Sequence, residues 1–317
     1  MARPAFRGGT VHARVPATSA NLGPGFDSLG LALTLHDDVV ARVADEGLLV
    51  DVAGEGEDVA RDEQHLVVRA MRTAFDRLGG QPNGLELSCA NRIPHGRGLG
   101  SSAAAIVAGI LLARAVTVGG EERLPDGEVL ALATEIEGHP DNVAACLLGG
   151  LTVAWVDDTD NSGPGAGRSG AKAVRLHCDP RIHPVVFIPP FESSTEQARA
   201  RLPGSVPHRD AAFSAGRSAL MVAALTTAPH ALLAASDDRL HQPYRASGMR
   251  ASADLVAALR ADGVGAVISG AGPTVLAFAV DSSREDAVRG RCPSGWRCAQ
   301  LPVADRGARI VPREHAG

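Results

Sequence analysis

Apolar and polar residues alternate with a period of two through "VHARVPA" (11–17), which predicts a strand with one buried face. "DDVVARVAD" (37–45) and "GLLVDVAG" (47–54) predict a second and a third. The period lengthens to that of a helix in "EQHLVVRAMRTAFDRLGG" (63–80), where the closing Gly-Gly marks a left-handed cap. "GLELSCA" (84–90) predicts a strand, Ser101 to about Val116 an apolar helix, "DGEVLALATEIEGH" (126–139) an amphipathic helix, and "GGLTVAWV" (149–156) another strand. Further on, strands are predicted at "PVVFIP" (184–189), "GAVIS" (265–269) and "TVLAFAV" (274–280), with helices at 211–236 and 251–262 and short strands near 297–311. The pattern is that of an α+β fold.

Between the halves lies "DDTDNSGPGAGRSGAK" (157–172), acid, glycine and serine with nothing to bury, which predicts a linker. It divides the chain into an N-terminal domain, 1–165, and a C-terminal domain, 166–317. With 317 residues, 45% of them apolar, there is material for two cores. A net charge of −5 and 3% aromatic residues exclude a basic, base-stacking nucleic-acid surface. Lys172 is the only lysine, which excludes a Walker-type phosphate loop. Five cysteines, without metal-ligand spacing and without a recognisable leader in "MARPAFRGG", are expected as reduced thiols of a cytoplasmic protein. The longest uncharged apolar run, Ala103 to Ala113, is too short to span a bilayer.

The chemistry is expected where the pattern breaks down. In "PHGRGLGSSAAA" (94–105), Gly96, Gly98 and Gly100 occupy alternate positions, poor for strand and helix alike. A strand, a glycine loop and then a helix present backbone N–H groups and a helix N-terminus to an anion, with the Ser101 and Ser102 hydroxyls beside them. The loop alone is equally compatible with a tight turn in which Ser101 is an ordinary N-cap.

Two more motifs bear on that choice, "PATSANLGPGFDSLGLAL" (16–33) and "SGAGPTVLAF" (269–278). With the glycine loop, "EGHPDNVAACLLGG" (137–150) and "HQPYR" (241–245), they resemble the GHMP kinase family, named for galacto-, homoserine, mevalonate and phosphomevalonate kinases. The run Asn21 to Asp27 is most similar to the branch acting on homoserine, and the resemblance extends from about residue 11 to residue 280.

That resemblance implies an N-terminal domain like the second domain of ribosomal protein S5 and a ferredoxin-like C-terminal domain. It also implies a homodimer that uses ATP with Mg²⁺ to phosphorylate the hydroxyl of L-homoserine on the way to threonine. Carried onto this chain, Pro94, His95, Gly96, Arg97, Gly98, Leu99, Gly100, Ser101, Ser102, Ala103 and Ala104 bind the nucleotide, with the backbone amides of 96–102 at its β-phosphate. His65 stands near the adenine where the family usually has asparagine. Ser102 and Glu135 match the metal ligands, with Glu137 two positions away in an open register. Asn21 and Asp27 suit the ammonium and hydroxyl end of the substrate, Arg199 and Arg245 its carboxylate, and Gly270 and Gly272 close over it.

Asp27, His139 and Asn142 form the expected catalytic set. Asn142 cannot take a proton, so the hydroxyl is oriented and loses its proton late. Each position also has a plain structural role open to it: a turn at Asp141-Asn142, a cap at Asp27, a solvated charge at either arginine. Two other functions stay open, a family kinase acting on mevalonate or a sugar, and a silent relative that senses ATP and a metabolite.

Overall fold

The computed structural model describes residues 4–157 and 170–312. The chain begins with β1 (Val11–Ala20), β2 (Leu29–Ala44) and β3 (Gly47–Gly54), then α1 (Leu66–Leu78) and β4 (Gly84–Asn91). Next come α2 (Ser101–Val116), α3 (Gly120–Arg123), α4 (Asp126–Glu137), α5 (Asp141–Leu148), β5 (Leu151–Asp157) and β6 (Gly170–Leu176). β7 (Ile182–Ile188), α6 (Thr195–Ala200), α7 (His208–Thr226), α8 (Leu232–Ala235), α9 (Gln242–Arg245) and α10 (Arg250–Ala261) follow. β8 (Gly265–Ile268), β9 (Val275–Val280), α11 (Ser282–Arg289), β10 (Arg297–Gln300) and β11 (Arg309–Val311) complete it.

The first sheet runs β11-β1-β2-β4-β3, with β5 on the near end of β2 and β6 on β5. β1 and β2 are antiparallel, and their register slips at Pro16, where the missing N–H breaks the ladder. β2 starts at Leu29, eight residues ahead of the predicted strand, because "LGLAL" is buried on both faces and shows no alternation. α2 and α5 pack against β1 and β2, and α1 packs on α2. α2 buries residues all round, as an apolar helix in the middle of a domain must, and Gly109 lets α1 approach where a Cβ would press on the Val67 carbonyl.

The second sheet, β10-β7-β9-β8, is antiparallel throughout. With helices after β7 and β9, this is the strand order of a ferredoxin-like split βαβ unit. Alternate residues of β7 serve two cores: Val185 and Phe187 pack with Leu255 and Leu259 of α10, while Val186 and Ile188 join the core of the first domain. The two domains are welded by side chains, and the seam between them positions the site.

Three boundaries differ from the sequence expectation. The ends of the 157–172 segment are strand: Asp157 pairs with Gly170 at the mouth of the β5–β6 hairpin, and residues 158–169 lie outside the described residues. The strand pairing therefore moves the passage between sheets from 165/166 to after Leu176, and β11 returns to pair with β1. The helix expected over 211–236 ends at Thr226, ahead of Pro229. Asp141 and Asn142, for which a turn is the plain structural reading, instead open helix α5, with Pro140 at its N-cap. Among the described residues no helix is long and apolar enough to cross a membrane.

Candidate active site

Gly96, Gly98 and Gly100 have φ of +61°, +74° and +72°, the left-handed region that side chains resist. A Cβ on Gly98 would strike the Ser269 carbonyl, and one on Gly100 the Thr18 hydroxyl. The alternate glycines thus let the loop turn while touching both other motifs. Ser101 does not cap: the N-cap of α2 is left-handed Gly100, with no side-chain cap bond, so the first-turn amides of α2 need a partner from outside the helix.

The three motifs interlock at the domain seam. Ser269 Oγ lies 2.6 Å from the Gly98 carbonyl and 2.8 Å from Ser19 Oγ. Asn21 Nδ2 donates to the Gly270 carbonyl at 2.9 Å, and Asn21 Oδ1 accepts the Asp27 N–H at 2.9 Å. Asn21 spends its amide on main chain, so it shapes the site more than it can bind in it. Asn21, Leu22 and Asp27 hold φ of +67°, +47° and +54°, strain of about 1–3 kcal/mol each that such a loop keeps only where the surroundings impose it.

These elements enclose a cleft of about 230 Å³. It is lined by Asn21, Asp27, Gly96, Gly98, Gly100, Ser101, Ser102, His139, Asn142, Arg199, Arg245, Gly270 and Gly272, all expected from the sequence. Glu137, Asp141 and the segment Ser193 to Thr195 join them, and the last of these carried no sequence signal. Pro94, Leu99, Ala103 and Ala104 are buried. The Arg97 guanidinium faces away, donating to the Pro189 and Pro190 carbonyls at 3.0 and 3.1 Å and pairing with Glu192 at 2.8 Å. It is a strut between the domains.

Glu135, expected as a metal ligand, does not line the cleft. It pairs with Arg77 at 2.7 Å and is 42% exposed, whereas Ser102 Oγ donates to Glu137 Oε2 at 2.7 Å inside the cleft. Two residues along a helix turn about 200°, so only one of the two acids can face Ser102. Burial pushes the Glu137 carboxyl above its ordinary range, against the Ser102 hydrogen bond and the charge of His139. Among the described residues no three His, Cys, Asp or Glu gather as a metal site. One hydroxyl and one carboxylate are hard oxygen donors of the kind that serve Mg²⁺ when phosphate and water complete its shell, so the residues present fit that ion.

Across the cleft, His139 Nδ1 lies 2.8 Å from Asp141 Oδ1, which also accepts the Asn142 N–H at 2.7 Å. Burial pulls His139 down, but the Asp141 hydrogen bond and the Asp141 and Glu137 charges outweigh it, and the net direction is up. Asn142 Oδ1 accepts from Thr18 Oγ1 at 2.8 Å, fixing the amide. Arg199 pairs with Asp27 in a two-bond fork, and Arg245, 2% exposed, lies 5.2 Å from the Phe26 ring.

A second pocket, of about 210 Å³, opens on the other side of Ser101 and Ser102. Val15, Val39, Val59, Leu66 and Val67 make it apolar, and Asp37, His65, Asn91 and His95 supply polar groups, a lining suited to a flat base. His65 is 7% exposed with Nδ1 unpartnered, and burial with the nearby His95 lowers its pKa, keeping it neutral. Asp37 had no sequence signal. Burial raises its pKa although it accepts the N–H groups of Arg92 and Ile93 at 2.6 and 2.9 Å.

Known proteins group with this architecture. The model of the GHMP kinases N terminal domain matches residues 65–150, and that of the GHMP kinases C terminal domain residues 221–298. Homoserine kinase of Streptomyces coelicolor is 59% identical over 313 residues, covering 98% of either chain. That of Mycobacterium tuberculosis is 46% identical over 294 residues, 92% of this chain and 91% of its own. The crystal structure of homoserine kinase from Cytophaga hutchinsonii aligns with a TM-score of 0.80 at 26% identity, covering 95% of this chain and 97% of that one. Leishmania major mevalonate kinase, at 17% identity and a TM-score of 0.63, shares the fold alone. The chain belongs to the GHMP kinase family, among its homoserine kinases.

Proposed function

We infer that the chain transfers the γ-phosphoryl group of ATP to the side-chain hydroxyl of L-homoserine, giving O-phospho-L-homoserine and ADP. The observation that carries this is one cleft lined by an open helix N-terminus, two arginines and the acid Asp27. Phosphate needs the first, and a zwitterion with a hydroxyl needs the others. The relatives at 59% and 46% identity bear the name homoserine kinase.

Phosphoryl transfer proceeds through a loose transition state, so the protein mainly positions groups and stabilises charge. The loop amides and the first turn of α2 receive the β- and γ-phosphates, and the base enters the pocket of His65 and Asp37. Ser102 and Glu137 would hold Mg²⁺, which would supply positive charge to neutralise the phosphates. Arg245 and Arg199 take the substrate carboxylate, and Asp27 its ammonium. Asn142, fixed by Thr18, orients the hydroxyl, and His139, biased toward its protonated form by Asp141, faces the transferring group. The hydroxyl oxygen bonds to γ-phosphorus as the bridging oxygen to ADP departs. Its proton leaves late, to an oxygen of the transferred phosphoryl group or to water, because Asn142 cannot accept it and a protonated His139 is no base.

Mevalonate suits the cleft less well. It brings no ammonium, and Asp27, Glu137 and Asp141 would face an anion. A silent sensor has no need of the Ser102–Glu137 pair. A homodimer is supported by the exposed apolar residues Trp155, Val156 and Val174 on the β5–β6 hairpin, and a reducing cytoplasm by five free cysteines. A coupled ATP-consumption assay with L-homoserine, mevalonate, galactose or no substrate tests the activity. Turnover with homoserine alone is expected, and turnover of mevalonate without homoserine would overturn it.

A further inference from the structure

His241 is fully buried, at 0% exposure, between the first motif and α9. Its Nε2 lies 2.7 Å from the Gly23 carbonyl oxygen and 3.5 Å from Asp238 Oδ2, and its Nδ1 lies 3.2 Å from Nη1 of Arg245. A carbonyl only accepts and a guanidinium only donates, so the ring carries its proton on Nε2 and a lone pair on Nδ1. Burial lowers its pKa and the Arg245 charge adds to that, against the pull of Asp238, so the ring is neutral. It stacks on Phe26 with centroids 5.0 Å apart and planes at 29°. One side chain thereby joins the loop that carries Asp27 to the arginine below it.

Arg245 is the other half of the observation. Its Nη1 is directed to His241 and, at 3.5 Å, to the Gly270 carbonyl, while its Nε is buried without any hydrogen-bond partner. A buried donor left unpaired calls for an acceptor, and Arg245 as a whole lines the cleft where a ligand could bring one. Holding one end of a rigid fork fixes the direction of its other edge.

We propose that His241, as a neutral acceptor, clamps Nη1 of Arg245 to the Gly23–Asp27 loop, leaves the Nε edge for the substrate carboxylate, and so sets the demand for a carboxylate on the substrate. This rests on the function inferred above, in which Arg245 grips that carboxylate. His241 touches neither substrate nor nucleotide; it is a positioning residue.

Two substitutions divide its hydrogen bonds. His241→Gln can still donate to the Gly23 carbonyl but offers no acceptor at the place of Nδ1. His241→Asn keeps an acceptor there and gives up the donor. Steady-state kinetics are measured for L-homoserine and for 3-aminopropan-1-ol, which lacks only the carboxylate. In the wild type kcat/KM should favour homoserine by about a hundredfold or more. In His241→Gln the homoserine KM should rise at least about tenfold, with kcat for both substrates and the ATP KM within about twofold, so that the preference collapses. His241→Asn should restore most of it.

Equal losses on both substrates in His241→Gln, or an intact preference, overturn the proposal. A wild type that ignores homoserine, or does not prefer it, refutes the functional inference itself before any variant is made. A measurement on the unaltered chain covers a variant that does not fold. With histidine nitrogens labelled and His241 assigned through Phe26 and Arg245 protons, Nε2 must be protonated and Nδ1 bare at neutral pH. The opposite tautomer, or a charged ring, overturns the clamp.

Discussion

Arg199 donates two hydrogen bonds to Asp27 across the domain seam, Nη2 to Oδ1 at 2.6 Å and Nη1 to Oδ2 at 3.0 Å. Each of these groups suits one end of an amino acid. Under the proposed function, the ammonium and carboxylate of a zwitterion would exchange this single pair for two, and a ligand with only one of those charges would leave Asp27 or Arg199 without a partner.

The cost of removing each arginine should follow its burial. Arg199 is 37% exposed and its partner 34%, so water screens the pair and Arg199→Ala should raise the homoserine KM by about tenfold. Arg245 is buried, and losing a buried charge partner costs roughly 2–5 kcal/mol, or about 30- to several-thousand-fold in KM. The ATP KM should barely move in either variant. If both changes stay below about threefold, the carboxylate is not held here.

Glu137→Gln should lower Mg²⁺-dependent kcat by about a hundredfold or more, whereas Glu135→Gln should leave it within about twofold. The Glu135–Arg77 pair lies at the surface, and its loss should cost less than about 1 kcal/mol. Titration of activity with Mg²⁺ reads the first effect and urea unfolding the second. An inactive Glu135→Gln with a normal Glu137→Gln would reverse the register.

That register illustrates where legibility in the sequence ends. Glycines at +61°, +74° and +72° are a local requirement, so "GRGLG" announced its loop and the helix after it. Two acids two residues apart are both merely polar to any periodicity, and only the partner at Ser102 separates them. His241 lies in the "HQPYR" motif, but its role carried no signal because its partner Gly23 lies 218 residues away. Asp37 was hidden likewise, being defined by two amides 55 and 56 residues on. At the ends of the segment 157–172 the strand was hidden, because acid, glycine and serine content says nothing of the ladder in which Asp157 pairs with Gly170 and Trp155 with Lys172.

Gly98→Ala and Gly100→Ala should each destabilise the chain by about 1–3 kcal/mol and weaken nucleotide binding, since either forces a side chain into left-handed backbone and into a neighbouring motif. Gly100→Ala presses on Thr18, which fixes Asn142, so its kcat should fall as well. Gly127→Ala, in the first turn of α4 with open space around its Cβ position, is the control and should be neutral or stabilising by up to about 1 kcal/mol. Calorimetric ATP binding and thermal unfolding measure both sets. A Gly98→Ala chain that binds ATP normally would remove the loop from the phosphate site.

The last prediction concerns pH, because Glu137 and His139 both hold their protons more tightly in the folded chain than in an unfolded one. Stability falls with rising pH wherever the folded state binds more protons. For His139 the contribution is fully present below its ordinary 6.5 and is lost as pH rises through the higher folded value. For Glu137 the same loss begins above its ordinary 4.5, as a half-buried carboxyl is made to ionise. Urea unfolding from about pH 5 to pH 8.5, without nucleotide or metal, should therefore find Glu137→Gln more stable than wild type, by a margin that widens with pH until Glu137 is fully ionised. His139→Gln should be less stable than wild type on the acid side, with the gap closing as pH climbs past the folded value. Mg²⁺ with a nucleotide should reverse the first result, since a cation at Glu137 turns an unfavourable charge into a ligand and stabilises only the chain that keeps the carboxylate. If Glu137→Gln is the less stable chain at about pH 8 with no ligand present, Glu137 is a structural partner of Ser102 and the metal must be held elsewhere.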